Sequence, residues 1–347
     1  MTLAARLTAQ MLAGAPAREP VAVAERLLAV QAQDPRGMRL AIRARTLGSG
    51  TTAADVEHAL TDERTLVVSW LNRGTLHLVR REDWPWLHAL TTPPLATASA
   101  RRLAQEGVPP ADADRGVAAV ERALADDGPL TREALRERIA AAGVRTEGQA
   151  LVHVLLAATL RLGLVRGPLH GARHAFALAR DWLGEEAAAP VDREAALAEL
   201  ARRYLAGHGP ADDRDLARWA GLPLRDARAG LAAIARELVT SADGRVDLAH
   251  RPGGPAAPLP PPRLLGAFDP LLLGWVSRAE LLGAHAATNV VTANGIFRPI
   301  ALVRGRAVAT WRLERGRPVL EPFAALSRRD AAALERDGAD VQRYLGA

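Results

Sequence analysis

The 347-residue sequence predicts a mainly α, mixed α+β chain in which one helix–helix–hairpin unit is used three times before a β-rich C-terminal portion. Three observations predict it. Apolar residues recur at helical spacing along much of the chain. The stretch GPLTREAL at 128–135 returns as GPADDRDL at 209–216, an offset of 81 residues, and a repeat of that length marks a supersecondary unit used more than once. A Pro/Gly stretch at 251–262, RPGGPAAPLPPP, suits neither a helix nor a central strand, and it separates the helical part from apolar, β-branched runs beyond.

Residues 2–13 and 20–31 read as helices, with Pro20 suited to a first turn. Thr51-Thr52 can cap a helix over 52–62. Two extended runs, 65–70 and 75–79, flank Asn72-Arg73-Gly74 and read as a hairpin. Helices followed by a hairpin give the order of a winged helix, in which a helix enters a DNA groove and the hairpin flanks it. In the two Gly-Pro repeats, Thr131 and Asp212 can cap helices over 131–142 and 212–220. Each is followed by a helical stretch, 147–163 or 224–237, and then by an extended segment, 164–178 or 238–250. The first unit lacks Gly-Pro and rests on element order alone. The division expected is 1–108 for the first winged helix and its following helices, 109–180 for the second and 181–250 for the third. Residues 263–347 then form the β-hairpin portion, with hairpins turning at Asn294-Gly295 and near Gly305 and a terminal helix over 328–345.

Composition narrows the chemistry. Without cysteine there are no disulfides, thiolate zinc sites or iron–sulfur clusters. Without lysine, no side-chain amine can form a Schiff base. All 45 basic residues are therefore arginine against 39 acids, a net charge of +6. Arginine pairs bidentately with phosphate, so an anionic polymer is a fitting partner; a solvated, arginine-rich surface is the other reading. No apolar run reaches the roughly 20 residues of a membrane span. Arg6 and Gln10 interrupt the N-terminal apolar stretch, which reads as an amphipathic helix, and a cytoplasmic protein is expected.

Gln31 and Gln33 stand where an apolar helix meets Asp34-Pro35, and Pro35 disfavours the α conformation at Asp34. On extended backbone the two carboxamides share a face with Ala32 opposite, and together they can hold a water or contact a sugar. They do not titrate near neutrality, so neither is a strong base. Two solvated side chains at a helix end is the alternative. Arg73 and His77 straddle the hairpin turn and suit a phosphate or base edge, or else a wing tip with a half-buried histidine. Asp269, before Pro270, is a turn former or a carboxylate facing a cleft. Arg298, Arg304, Arg306, Trp311 and Arg312 lie on the C-terminal hairpins, where basic residues with an aromatic suit groove contact, or simply decorate an edge. His170 and His174 stand four apart, but Gly167, Pro168 and Gly171 argue against a helix there and no acidic ligand is close in sequence, so no metal is expected. Phosphate-binding glycine loops and hydrolase or kinase signatures are absent, and no cofactor is expected.

Six segments taken together resemble the AlkZ/YcaQ group of winged-helix DNA glycosylases, from about residue 5 to 330. They are LLAVQAQDP from Leu27, SWLNRGTLHLV from Ser69, HGPADDRDLARWAGL from His208, AFDPLLLGW from Ala267, NGIFRPIALVRGRAVATW from Asn294 and EPF from Glu321. The resemblance implies three tandem winged helices plus a β-rich portion forming a C-shaped, basic surface for duplex DNA. It implies an active-site motif of Gln, an aliphatic residue and Gln, which falls on Gln31, Ala32 and Gln33. A related branch has Asp at the third place, so Gln33 puts this chain with the AlkZ-like branch, although Ala32 is smaller than expected for the middle residue. The implied activity is hydrolysis of the N-glycosidic bond of alkylated purines of the N7-alkylguanine type, extending to bulky adducts or interstrand crosslinks, in repair or self-resistance. Gln33 would orient the water and Gln31 would help hold it or contact the deoxyribose. With no lysine, an abasic site without strand cleavage is the expected product. The protein is expected to act as a monomer without an obligate partner. The competing reading is a non-catalytic winged-helix transcriptional regulator.

Overall fold

A computed structural model of the chain describes residues 2–170, 173–184, 191–252, 254 and 256–346. Gly171 and Ala172, in the second predicted hairpin, and Gly253 and Pro255, in the predicted linker, lie outside the described residues. Helix and strand are both present, helix predominating, as the sequence predicts. The chain packs as two compact units, one of residues 1–57 with 197–347 and one of 58–196. This division follows packing, whereas the four linear segments expected from the repeat follow element order.

The first unit begins with α1 (Thr2–Ala9) and α2 (Pro20–Leu27), then β1 (Val30–Gln31), α3 (Pro35–Arg43) and most of α4 (Ala53–Thr61). The helix expected to run to residue 31 stops at Leu27, where Leu28 takes a φ of 63° that an α-helix cannot continue through. Pro35 begins a helix rather than only ending one. Asp34 is its N-cap, its carboxylate accepting from Arg36 N at 3.0 Å, and Pro35 fills a first-turn position whose missing N–H is never needed.

In the second unit β2 (Leu66–Trp70) and β3 (Leu76–Arg80) form the antiparallel hairpin expected, with Ser69 opposite His77. Helices α5 (Trp84–Thr91), α6 (Ala96–Gln105), α7 (Pro110–Asp127), α8 (Arg132–Ala141) and α9 (Ala150–Leu162) follow. The hairpin of β4 (Leu164–His170) and β5 (Arg173–Leu178) and the short α10 (Ala179–Leu183) complete it. Leu135, Ile139, Val154, Leu155 and Phe176 form its core, and Trp70 packs against them. His170 and His174 lie on the paired strands rather than on a helix, and among the described residues no group of three or more potential metal ligands assembles.

The first unit resumes at residue 197 within α11 (Arg193–His208), followed by α12 (Asp213–Ala220), α13 (Leu224–Ala233) and the hairpin of β6 (Leu238–Thr240) with β7 (Val246–Leu248). The two Gly-Pro repeats thus give the same order of helix, helix and hairpin. Their likeness extends to the backbone. Thr131 caps α8 by accepting from Ala134 N, and Asp212 caps α12 by accepting from Asp215 N. The residue after each Gly-Pro exchanges two hydrogen bonds with its hairpin: Leu130 with Phe176 at 3.0 and 2.8 Å, Ala211 with Val246 at 3.0 and 2.8 Å.

Beyond residue 262 come β8 (Arg263–Leu265), α14 (Pro270–Leu273), α15 (Ala279–Val290), β9 (Ile300–Val303), β10 (Arg306–Glu314), β11 (Arg317–Pro322) and α16 (Arg328–Leu345). The strands form one antiparallel sheet in the order β11-β10-β9-β8, with the β9–β10 turn at Gly305 as expected. The Asn294-Gly295 hairpin is narrower than expected: a single bridge, Val291 to Phe297, follows directly on α15. Leu40 of α3 and Leu334 and Val341 of α16 join Leu264, Ala301 and Trp311 in the core beneath this sheet. Among the described residues no helix is long and apolar enough to cross a membrane.

Candidate active site

The glutamine pair is made by a break between two helices. After α2 ends, Val30 and Gln31 run extended, Ala32 is buried, and Asp34 starts α3. Extended backbone puts residues two apart on one face, and the side chains meet: Gln31 Nε2 donates to Gln33 Oε1 at 2.9 Å. Gln31 is buried, whereas Gln33 is exposed. A carbonyl oxygen has two lone pairs, so Gln33 Oε1 retains one for a further donor such as water. The arrangement is an exposed amide oriented by a buried one.

The scaffold under the pair is closely packed. On one side, the backbone of α2 near Arg26 and Leu27 meets Gly207 so closely that a Cβ there would lie 2.5 Å from the Arg26 carbonyl oxygen. On the other, α3 crosses the segment after β8 at Gly37, where a Cβ would come 2.3 Å from the Ala267 carbonyl oxygen. Two buried arginines lock α3 further. Arg43 reaches Asp340 at 2.9 Å and Asp337 at 2.7 Å on α16. Arg45 places all five N–H donors: on the Gln10 backbone and side-chain oxygens, the Ala41 carbonyl, and both oxygens of Asp269 at 2.9 Å.

That last pair assigns Asp269. It is fully buried, accepts from Leu271 N and caps α14, so it is a turn former and an ion-pair partner rather than a carboxylate facing a cleft. Trp311 also has a structural place: it is buried in the core and its indole N–H donates to the Leu265 carbonyl at 2.9 Å, which removes it from a groove surface. Arg312 is engaged by Glu314 and Glu321, and Arg306 donates to the Glu280 carbonyl at 3.0 Å. Arg298 and Arg304 are exposed, with Arg304 in the β9–β10 turn at a φ of 49°.

Arg73 and His77 belong to the β2–β3 hairpin of the other unit. Arg73 sits in its turn at a φ of 58°. His77 is buried, not half-buried, and its Nδ1 is 2.9 Å from the Thr75 carbonyl, which can only accept, so the proton is on Nδ1. Burial, with Arg73 adding to it, pushes His77 down to about 3, so at neutral pH it offers no charge to a phosphate.

Sequence reasoning did not find the Arg45–Asp269 pair, whose members are 224 residues apart. Pro35 reads in the sequence as a stop to the preceding helix, although Asp before Pro is also a standard helix start.

A family model described as DNA glycosylase AlkZ-like matches residues 24–344, a span that contains both glutamines. The chain belongs to the AlkZ-like DNA glycosylase family. An interstrand DNA cross-link repair glycosylase of Streptomyces sahachiroi is 29% identical over 350 residues, covering 93% of this chain and 90% of that protein. The solved structure of the DNA glycosylase AlkZ of Streptomyces sahachiroi is similar to it with a TM-score of 0.82 at 26% identity, over 99% of this chain and 96% of that one.

Proposed function

We propose that the protein is a monofunctional glycosylase acting on duplex DNA, hydrolysing the N-glycosidic bond of purines alkylated at N7 and unhooking bulky or crosslinked adducts. The observation that carries this reading is the hydrogen-bonded pair of Gln31 and Gln33, in a member of a DNA glycosylase family. The similarity to a cross-link repair glycosylase supports the bulky end of the substrate range.

The chemistry asks for what amides supply. Alkylation at N7 makes the base cationic, so it leaves with the electrons of the C1′–N9 bond as a neutral purine. The sugar develops oxocarbenium character, and the enzyme must place water and stabilise that charge. Gln33 Oε1 accepts from the attacking water and aligns it on C1′, while Gln31 Nε2 fixes the Gln33 amide. The proton released from that water goes to solvent, since neither amide takes it. No lysine is present to capture the opened sugar, so an intact strand with an abasic site is the product.

The test is incubation with duplexes carrying N7-methylguanine or a nitrogen-mustard crosslink. Released base and alkali-dependent strand breaks are expected. Tight sequence-specific binding with no release from any alkylated duplex would instead identify a regulator.

A further inference from the structure

Among the described residues four arginines lie over aromatic rings, and three of them also give N–H groups to oxygen. Arg6, over Trp275, donates to the Pro210 carbonyl at 3.2 Å and stands 3.7 Å from Asp215. Arg64, over Trp182, donates to that residue's carbonyl at 3.4 Å. Arg278, over Phe297, donates to the Leu272 carbonyl at 2.5 Å. Arg166 differs. Its guanidinium carbon is 3.9 Å from the Phe176 ring centre and 5.3 Å from that of Trp70, and among the described residues it meets no carboxylate and no acceptor oxygen.

The local fold fixes this geometry. Arg166 on β4 pairs directly with Phe176 on β5, so both side chains share a face. The register breaks just after Arg166, before Leu169, and such a bulge re-aims the side chains beside it. Phe176 is held from behind by its bridge to Leu130, and it stacks with Trp70, the last residue of β2, at 6.2 Å. Two chain segments thus supply the aromatic floor, braced by a third, for one guanidinium, which is itself only partly exposed. The charge acting on it is another cation: burial and then Arg132, in the first turn of α8, lower Arg166 to about 10, which leaves it protonated at neutral pH. A cation that has lost part of its water and faces only a like charge is unfavourable as it stands. An anion against the free edge of the fork would reverse that.

We propose that Arg166, with Arg132 as its neighbouring cation, is a seat for a backbone phosphate of the DNA duplex on the second helix–helix–hairpin unit. The planar fork matches phosphate bidentately, and stacking on Phe176 and Trp70 sets its orientation before the ligand arrives. A phosphate contact carries no base information, so it strengthens binding to damaged and undamaged duplexes alike. The inference rests on the reading of the protein as a DNA glycosylase and adds a duplex contact that the glutamine pair does not require.

Duplex affinity as a function of salt tests it, measured for the wild type, Arg166→Gln and Arg132→Gln on an undamaged duplex and on one carrying an alkylated purine. Losing one phosphate contact makes the slope of log affinity against log salt shallower by about 0.9. That change, equal on both duplexes, is expected for Arg166→Gln and also for Arg132→Gln, whose exposed side chain supports no core. Should Arg166→Gln fail to fold, Arg132→Gln still decides the matter. Slopes equal to the wild type's in the folded variants would overturn the phosphate seat while leaving wild-type excision, and so the glycosylase reading, standing. A wild type that neither binds duplex nor releases base would overturn both.

Discussion

Three buried polar groups, Gln31, Asp269 and His77, do different work. Gln31 is buried and spends its amide on Gln33, which turns an exposed side chain into a fixed one. Asp269 is buried and spends its carboxylate on Arg45. Removing one partner of such a pair strands the other charge, at a cost of about 3–5 kcal/mol. Asp269→Ala is therefore expected to lose stability on that scale in denaturant unfolding; a loss within experimental error would show that Arg45 is held by its carbonyl partners alone. His77 gives a pH signature. Its pKa falls from the usual 6.5 to about 3 on folding, so between those values the unfolded chain binds a proton that the folded chain does not. Its contribution is constant above about 6.5, is lost progressively as pH falls towards 3, and changes no further below. Unfolding free energies of the wild type and His77→Gln measured from pH 7.5 to 4 should show a steeper acid decline in the wild type; parallel curves would contradict the assignment.

At the scale of elements, the sequence carried what depends on neighbours and hid what depends on distance. The Gly-Pro repeat, its Thr131 and Asp212 caps, the β2–β3 hairpin and the terminal helix are local, set by turn residues and capping side chains within a few positions. α2 ends earlier than the apolar spacing implies, because that spacing continues through Leu28 and Val30 while the break is a backbone turn at Leu28 that no side chain announces. The glutamines were legible as a pair because alternation in an extended segment is a local rule. The burial of Asp269, Trp311 and His77 was not, because it depends on strands and helices remote in sequence. Gly37 belongs with these hidden features: its role is visible only where α3 crosses the backbone at Ala267. Since a Cβ there would overlap a carbonyl oxygen, Gly37→Ala must push α3 off that segment, costing about 1–3 kcal/mol. A melting temperature equal to the wild type's would show that the crossing is looser than the structure places it.

For the whole molecule, the proposed catalytic pair is neutral and lies in an arginine-rich chain of net charge +6. Affinity then belongs to phosphate contacts and rate to the amides, and the two should separate on mutation. The most direct measurement is single-turnover release of N7-methylguanine from duplex DNA by the wild type and by Gln33→Ala, with duplex affinity determined on the same preparations. Losing a positioned hydrogen-bonding group at a developing charge typically lowers the rate by about 10²–10³-fold. A fall of that size with affinity nearly intact, and with strand breaks in the wild-type reaction appearing only after alkali, is the predicted result. Equal release by the two proteins would contradict the account by removing Gln33 from the reaction.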